Sequence, residues 1–527
     1  MRNTVKATCT LLLLLSQILI CSAQLPDGFK TVPVNKRVKD FTPDSINLSS
    51  PLDYYLSRAW VRSTGKVRYW ADISTSKFQF DPAAPDEQVS EDLRNYILDE
   101  NIESIVSYRD TAAAILTHSE GDDFILLNFC WIEEGKWVNG GQWMAMDSAE
   151  AESILRTQLP VNYGNLPRIA RIKSMPEDPR PFTAFLSGIE ASPEEFLLEM
   201  LGTHKLVING EYHRRKVSWD MLKRLIRLPG FPEKTGRIFM ELPSWCQPKM
   251  DAFMESDTLN TGTILEIFRE EQPNGWWDRG EFEFICDVWR LNRSLPAGKR
   301  IRIVLADYQI PYSKITDRKD ARSLENRNTH MADVIEETVR TSSDGRNSLF
   351  LVGCAHAYKS RQSGIASAAS GQAEVPTAGA QLTDRLGTEN VFTVFQHVLP
   401  GDNTGNNKAP IRGGMFDRAF KADGNRPVGF RLAGSPFGDE PFDGIYEIKY
   451  NASTGTYADN FDGYLFLHPI ADEPQAEPLT EIFTDRFVEE IKRRASVLGT
   501  GHIPALWFGR KAQDLTREYI IGVLQEE

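Results

Sequence analysis

Cysteine is scarce and scattered in this chain. There are six in 527 residues. Two (Cys9 and Cys21) stand at the amino terminus, and Cys130, Cys246, Cys286 and Cys354 lie far apart with no C-x-x-C pair. Thiolate zinc centres use paired cysteines, so none is expected. Cys130, Cys286 and Cys354 sit in strongly apolar runs and are expected to be mostly buried free thiols. Basic charge is in deficit, with 60 Lys and Arg against 73 Asp and Glu. That balance argues against a nucleic-acid or anionic-membrane partner. After the amino terminus no run is apolar enough to span a bilayer, so no transmembrane segment is expected. A G-x-S-x-G elbow is missing, which disfavours a serine nucleophile presented on a strand-to-helix turn. No internal repeat is visible.

What is present begins with an address. Arg2 and Lys6 precede the apolar run Thr8 to Ile20, and Cys21-Ser22-Ala23 offers small residues for cleavage. Residues 1–23 therefore read as a signal peptide of an exported protein, periplasmic, cell-surface or secreted. Cleavage just before Cys21 would instead leave a lipid anchor there. Hydrophobic residues make up 41% and aromatics 10%, enough for a large core spread over two or three domains.

Residues 24–55, rich in Pro, Asn and Ser, read as an irregular lead-in. Residues 56–175 read as a small α+β domain. Within it Val89 to Ser107 has helical spacing, and Asp123 to Ile132 and Trp137 to Ala145 are strands either side of a turn. A helix over one curved antiparallel sheet, as in folds like nuclear transport factor two, is expected. Residues 176–190, starting in a Pro-rich piece, read as a linker. From 191 to 475 strands and helices alternate, the pattern of an α/β domain with a mostly parallel central sheet flanked by helices. Residues 360–387 and 401–414 are expected to be long loops, and 476–527 a C-terminal helical segment. Ser218 is the expected N-cap of a helix.

In such sheets ligands bind beyond the carboxyl ends of the strands. The strand Lys205 to Ile208 runs into Gly210-Glu211-Tyr212-His213; Arg237 to Met240 ends in Glu241; Ile301 to Ala306 ends in Asp307; Ser348 to Val352 ends in Gly353-Cys354-Ala355-His356. The glycines are expected to let the chain turn tightly. In the helix Glu325 to Thr341, Arg327 shares the inward face of Met331, and an inward guanidinium needs a carboxylate or a ligand anion. Each residue has a plainer reading: a loop histidine, a helix cap, a structural ion pair, turn chemistry. Recurrence at three strand ends favours a site. The segment Asn274 to Trp289 reads as a helix with a core stripe (Phe282, Ile285, Cys286, Trp289), which leaves Trp276 and Trp277 open as cleft walls.

The succession Gly-Glu-Tyr-His (210 to 213), Glu241, Arg327-Asn328-x-x-Met331-Ala332 and Gly-x-x-His (353 to 356) resembles the erythromycin esterase, ChaN and Tiki superfamily. Its ChaN-like haem-binding uptake branch is the nearest. Asp459-Asn460-Phe461-Asp462 resembles the superfamily's terminal D-x-φ element, φ being hydrophobic. The resemblance covers about residues 190 to 470. Asn328 stands where the ChaN-like pattern has Asp, and Cys354-Ala355 fills the last motif. Members are variously esterases, metal-dependent proteases and haem binders, so the resemblance implies a ChaN/EreA-like fold and a site more than a reaction.

The expected activity is hydrolysis of an ester or amide (peptide) bond in a small-molecule or peptide substrate. His213 or His356 would be the general base, Glu211 or Glu241 its orienting carboxylate, and Arg327 the anion or oxyanion group. Tyr212, Asp307 and Asp462 would contact substrate. In a metal-assisted variant, Glu211, His213, Glu241 and His356 would hold a divalent ion. The alternative is a haem- or small-ligand-binding uptake protein without catalysis, with Tyr212, His213, His356 or Tyr358 as axial ligand.

Overall fold

A computed structural model describes residues 27–73, 86–119, 122, 124–145, 147–172, 178–307, 310–321, 327–359, 376–398, 410–442, 455–499 and 503–526. The leader and Cys21 fall outside these residues, as do loop positions 360–375 and 401–409. The chain divides into two compact units, with the division near residue 166.

The first unit carries a five-stranded sheet in the order β1 (Phe29–Arg37), β2 (Asn101–Tyr108), β3 (Ala112–His118), β4 (Ile125–Glu133) and β5 (Lys136–Ala145). Every neighbouring pair is antiparallel. The β4–β5 turn places Glu134 and Gly135 at φ 51° and 79°, the two positive values that a tight hairpin with right-handed strand twist demands. Helix α1 (Pro51–Thr64) starts at Ser50, whose hydroxyl accepts the Asp53 N–H, and α2 (Glu91–Asp99) starts on Ser90 in the same way. The expected α+β domain is thus present, with two corrections. The lead-in is not irregular: β1 pairs with β2 although its own burial is poor, because backbone pairing to a neighbour fixes an edge strand without a strong apolar pattern. Val89 to Ser107 is helix only to Asp99, since β-branched Ile102, Ile105 and Val106 pack better in the sheet.

The second unit is built on a seven-stranded sheet of order β11-β12-β10-β6-β9-β7-β8. The strands are β6 (Leu206–Glu211), β7 (Thr235–Pro243), β8 (Arg302–Asp307), β9 (Asn347–Gly353), β10 (Val391–Gln396), β11 (Val428–Arg431) and β12 (Gly463–Phe466). All pairs are parallel except β11 with β12. Side chains alternate across a strand, so Val207, Ile238, Ile303 and Leu349 join one core while Ile208, Phe239, Val304 and Phe350 join the other. Two buried faces explain why these strands read as continuous apolar runs.

Several boundaries move. Residues 180–186, inside the expected linker, form helix α3 (Arg180–Leu186), whose Phe182 and Leu186 are buried in the second core. Residues 376–387, expected in a loop, contain helix α4 (Ala378–Leu386), capped by Thr377; its small residues let it pack closely, which the low-complexity composition concealed. The segment after 476 is helical at Asp485–Leu498, Ile503–Phe508 and Arg517–Glu526. Ser218 lies inside the helix Lys216–Leu225 and accepts the Gln396 side-chain amide at 3.0 Å instead of capping. All four cysteines after Cys21 are free and buried. Among the described residues no helix is long and apolar enough to cross a membrane.

Candidate active site

The four strands that end in chemistry-bearing residues are neighbours: β6, β9, β7 and β8 lie side by side in the sheet. Their carboxyl ends bring Glu211, Glu241, Asp307 and the Gly353–His356 turn to one edge. His213, two residues past β6, turns back over that edge: its Nδ1 is 2.7 Å from Glu211 Oε1 and its Nε2 is 4.0 Å from Glu241 Oε2. The indole of Trp276 meets the imidazole edge-on at 5.1 Å between centroids. These groups surround a cavity of about 70 Å³, lined also by Trp219, Glu271, Glu281 and Arg327.

Gly353 explains how His213 fits. It needs no left-handed conformation; its φ is −53°. A Cβ there would sit 2.7 Å from His213 Nε2 and 3.2 Å from Glu241 Oε2. Gly210 likewise allows close approach, since its Cβ would lie 2.9 Å from the Ala357 Cβ. The expected tight turns are therefore close packings, and the left-handed residue of the loop is Arg214, at φ 60°.

Arg327 holds the other half of the site together. Its Nε donates to both oxygens of Asp307 at 2.7 and 2.9 Å, and its Nη2 donates to Glu241 Oε1 and Asp307 Oδ2 at 2.5 Å each. Its Nη1 lies 3.3 Å from His356 Nε2. A guanidinium has five N–H groups; Nε uses one, Nη2 two and Nη1 one, which leaves one on Nη1. Asp307 is fully buried and Glu241 nearly so. Two carboxylates there need this cation.

The two histidines differ in charge. Burial opposes protonation of His213, but the Glu211 charge and hydrogen bond, with Glu241 behind, outweigh it and raise its pKa to about 9. Its side chain is still 43% exposed at the cavity mouth, so solvent can exchange its proton. His356 is only 13% exposed. Burial first, and the Arg327 charge against the pull of Glu241, lower its pKa to about 4. Its tautomer follows from its neighbour. Asn328 Oδ1 accepts the Ala378 N–H at 3.2 Å and lies 2.7 Å from His356 Nδ1; an amide oxygen only accepts, so Nδ1 carries the proton and Nε2 is the lone pair facing Arg327. Glu241 is pulled well below the usual carboxylate range: burial opposes this, but Arg327, both histidines and the Gly353 N–H prevail.

Of the residues named from sequence, Glu211, His213, Glu241, Arg327 and His356 come together. Three others do not serve as expected. Asp307 is consumed by Arg327. Tyr212 packs against the core on the opposite sheet face from Trp219 and Trp276. Asp462 sits at the amino end of β12, where it accepts from Thr393 N at 2.9 Å and from Lys359 Nζ at 2.5 Å; β12 starts level with the middle of β10, away from the carboxyl edge.

The donor set does not fit the four-residue metal cage. Glu241 is held by Arg327 and the Gly353 N–H, His356 Nε2 faces a guanidinium, and among the described residues no three His, Cys, Asp or Glu side chains are placed to hold an ion. Haem fits no better: Tyr358 and His356 are largely buried and the cavity at His213 is far smaller than a macrocycle.

Sequence reasoning missed Glu271, in the turn after the helix Thr261–Phe268, and Glu281, in the first turn of the helix Arg279–Ser294. Burial raises both well above the usual carboxylate range, reinforced by Asp307 at Glu271 and by Asp278 and Glu211 at Glu281. The signal was the doublet Trp276-Trp277 between them. Trp277 is core, whereas Trp276 lines the cavity and donates to Glu281 Oε2 at 2.7 Å. Arg214 lies over Trp276, Trp277 and Trp507 at 5.7, 5.0 and 5.2 Å.

No family model matches the chain, and no curated protein matches it. Solved structures do. A Bacillus cereus protein overlaps 55% of this chain and 97% of its own, at 12% identity and TM-score 0.37. A mutant of erythromycin esterase EreC in its open conformation overlaps 51% and 92%, at 14% identity and TM-score 0.34. Erythromycin esterase thus stands among the structures this chain is similar to. A third match, the C-terminal region of Pasteurella multocida toxin, overlaps 51% and 33%, at 12% identity and TM-score 0.24.

Proposed function

We propose that the chain is a hydrolase of an ester or amide bond in which His213, held by Glu211, is the general base. One observation carries this reading: a buried carboxylate grips one imidazole nitrogen at 2.7 Å while the other nitrogen opens on a cavity beside a second, backbone-anchored carboxylate. That arrangement fixes the ring, sets the tautomer of its neutral form, and stabilises the imidazolium that forms when water gives up a proton. The remaining Nη1 N–H of Arg327 is the donor for the oxyanion. His356 is a positioning residue, locking Arg327 and through it Glu241. The exported setting suggested by the amino terminus is part of the same proposal, and the substrate is a small molecule or peptide.

The pH dependence follows from the sign of the His213 shift. With a pKa of about 9 the imidazole is mostly protonated at neutral pH, and only the neutral form is a base. For uncharged p-nitrophenyl esters and fluorogenic peptides, kcat/KM is expected to rise about tenfold per pH unit between pH 6 and 8 and to level near 9. A rate that is flat over this range, or falls, contradicts the assignment.

A further inference from the structure

We propose that the cavity beside Glu211 is a subsite for a compact organic cation, and that the substrate carries an alkylammonium group close to the bond that is cleaved. The inference rests on the hydrolytic reading for the second clause only.

The first observation is an orphaned oxygen. Glu211 is 5% exposed, and while its Oε1 takes His213, its Oε2 is buried with no hydrogen-bond partner among the described residues. A buried carboxylate oxygen left unpaired is unfavourable; Glu211 lines the cavity, and a donor bound there would satisfy it.

The second is a charge imbalance. Arg327 is already matched by Asp307 and Glu241. Among the described residues around the cavity of about 70 Å³, four carboxylates (Glu211, Glu241, Glu271 and Glu281) stand against two cations, His213 and Arg327. Glu271 faces Asp307, Glu241, Glu281, Arg327 and Tyr312; Glu281 faces Asp278, Glu211, His213 and the Trp276 N–H. Both glutamates are held well above the usual carboxylate range, by burial first and neighbouring carboxylates next, so that protonation relieves the crowding. An entering cation would take over that role and release protons.

The third is the wall. Trp276 and Trp219 line the cavity, and aromatic surfaces attract ammonium groups through the ring quadrupole. Since no three of the described donors are placed for a metal ion, an N–H-bearing organic cation suits the site better than a divalent one.

Calorimetric titration of the full chain tests this, using n-butylammonium chloride, n-butanol, magnesium chloride and calcium chloride at constant ionic strength. Butylammonium is expected to bind and butanol not. Affinity should rise with pH, because binding releases protons from Glu271 and Glu281. Glu281→Gln, which keeps an acceptor for Trp276, should weaken binding about tenfold; Trp276→Leu, as a second variant, should weaken it as well. Bound butylammonium should also lower the His213 pKa from about 9 by offsetting Glu211. Equal binding of butanol, binding independent of pH, or preferential binding of magnesium or calcium overturns the subsite. The two readings fail separately. Ester turnover without butylammonium binding removes the subsite alone, and butylammonium binding without turnover of any ester or amide removes only the hydrolytic reading and its substrate clause.

Discussion

Arg327→Met is expected to lower the unfolding free energy of the α/β unit by about 3–5 kcal/mol, the loss typical when one partner of a buried ion pair is removed. The reason is local. Asp307 is fully buried, Glu241 is 8% exposed, and Arg327 supplies hydrogen bonds to both. Methionine fills the stem of the side chain and removes the guanidinium that both carboxylates contact. Urea denaturation measures the loss. Arg327→Lys should fall between, because an ammonium cannot make the forked contact to Asp307 while reaching Glu241. Adding Asp307→Asn to Arg327→Met should recover part of the stability, since the uncompensated charge is then halved. A loss below about 1 kcal/mol for Arg327→Met, the size of an ordinary surface pair, would show that this guanidinium does not hold the site together.

His213→Ala is expected to lower kcat/KM by about 10²–10⁴-fold on whichever ester or peptide is turned over, the range for removal of a general base. Its stability should fall too, because the buried Glu211 carboxylate loses the hydrogen bond from His213, so kcat/KM is measured on protein shown to be folded. Glu211→Gln separates orientation from charge. The amide oxygen still accepts the Nδ1 proton, but the Glu211 charge that raises the His213 pKa is gone, so the rising limb of the pH profile should level off below about 9 while the maximum rate falls. His356→Ala should act differently, through a disturbed Arg327. A His213→Ala protein that keeps a third or more of its activity would remove His213 from the base role.

The sheet was legible in the sequence because both its faces are buried. Val207, Ile238, Ile303 and Phe350 belong to short apolar runs bounded by polar turns, and their parallel order follows from the helices between them. The strand ends were legible for the same reason: once β6 and β9 are placed, Glu211 and His356 must lie near one edge. What stayed hidden depends on contacts that no local pattern records. Asp462 follows a motif-like run, but the short β12 starts level with mid-sheet, so its carboxylate caps Thr393 instead. Asp307 was legible as a strand-end residue and not as the partner that uses up Arg327. Glu271 and Glu281 come from a turn and a helix start marked in the sequence only by the Trp276-Trp277 doublet between them; the packing around Trp276 brings them to the cavity with Glu211. Strand β1 and helix α4 were missed because an edge strand and a small-residue helix both lack a strong apolar rhythm.

The most direct test is a histidine-resolved NMR titration of the intact protein, with His213→Gln and His356→Gln used to assign the two resonances. His213 is expected to titrate near 9, carried by Glu211, and His356 to stay neutral down to about 4 inside its Asn328 and Arg327 contacts. Two histidines titrating together near the unperturbed value of about 6.5 would contradict it, because neither the Glu211 grip nor the burial of His356 would then exist in solution.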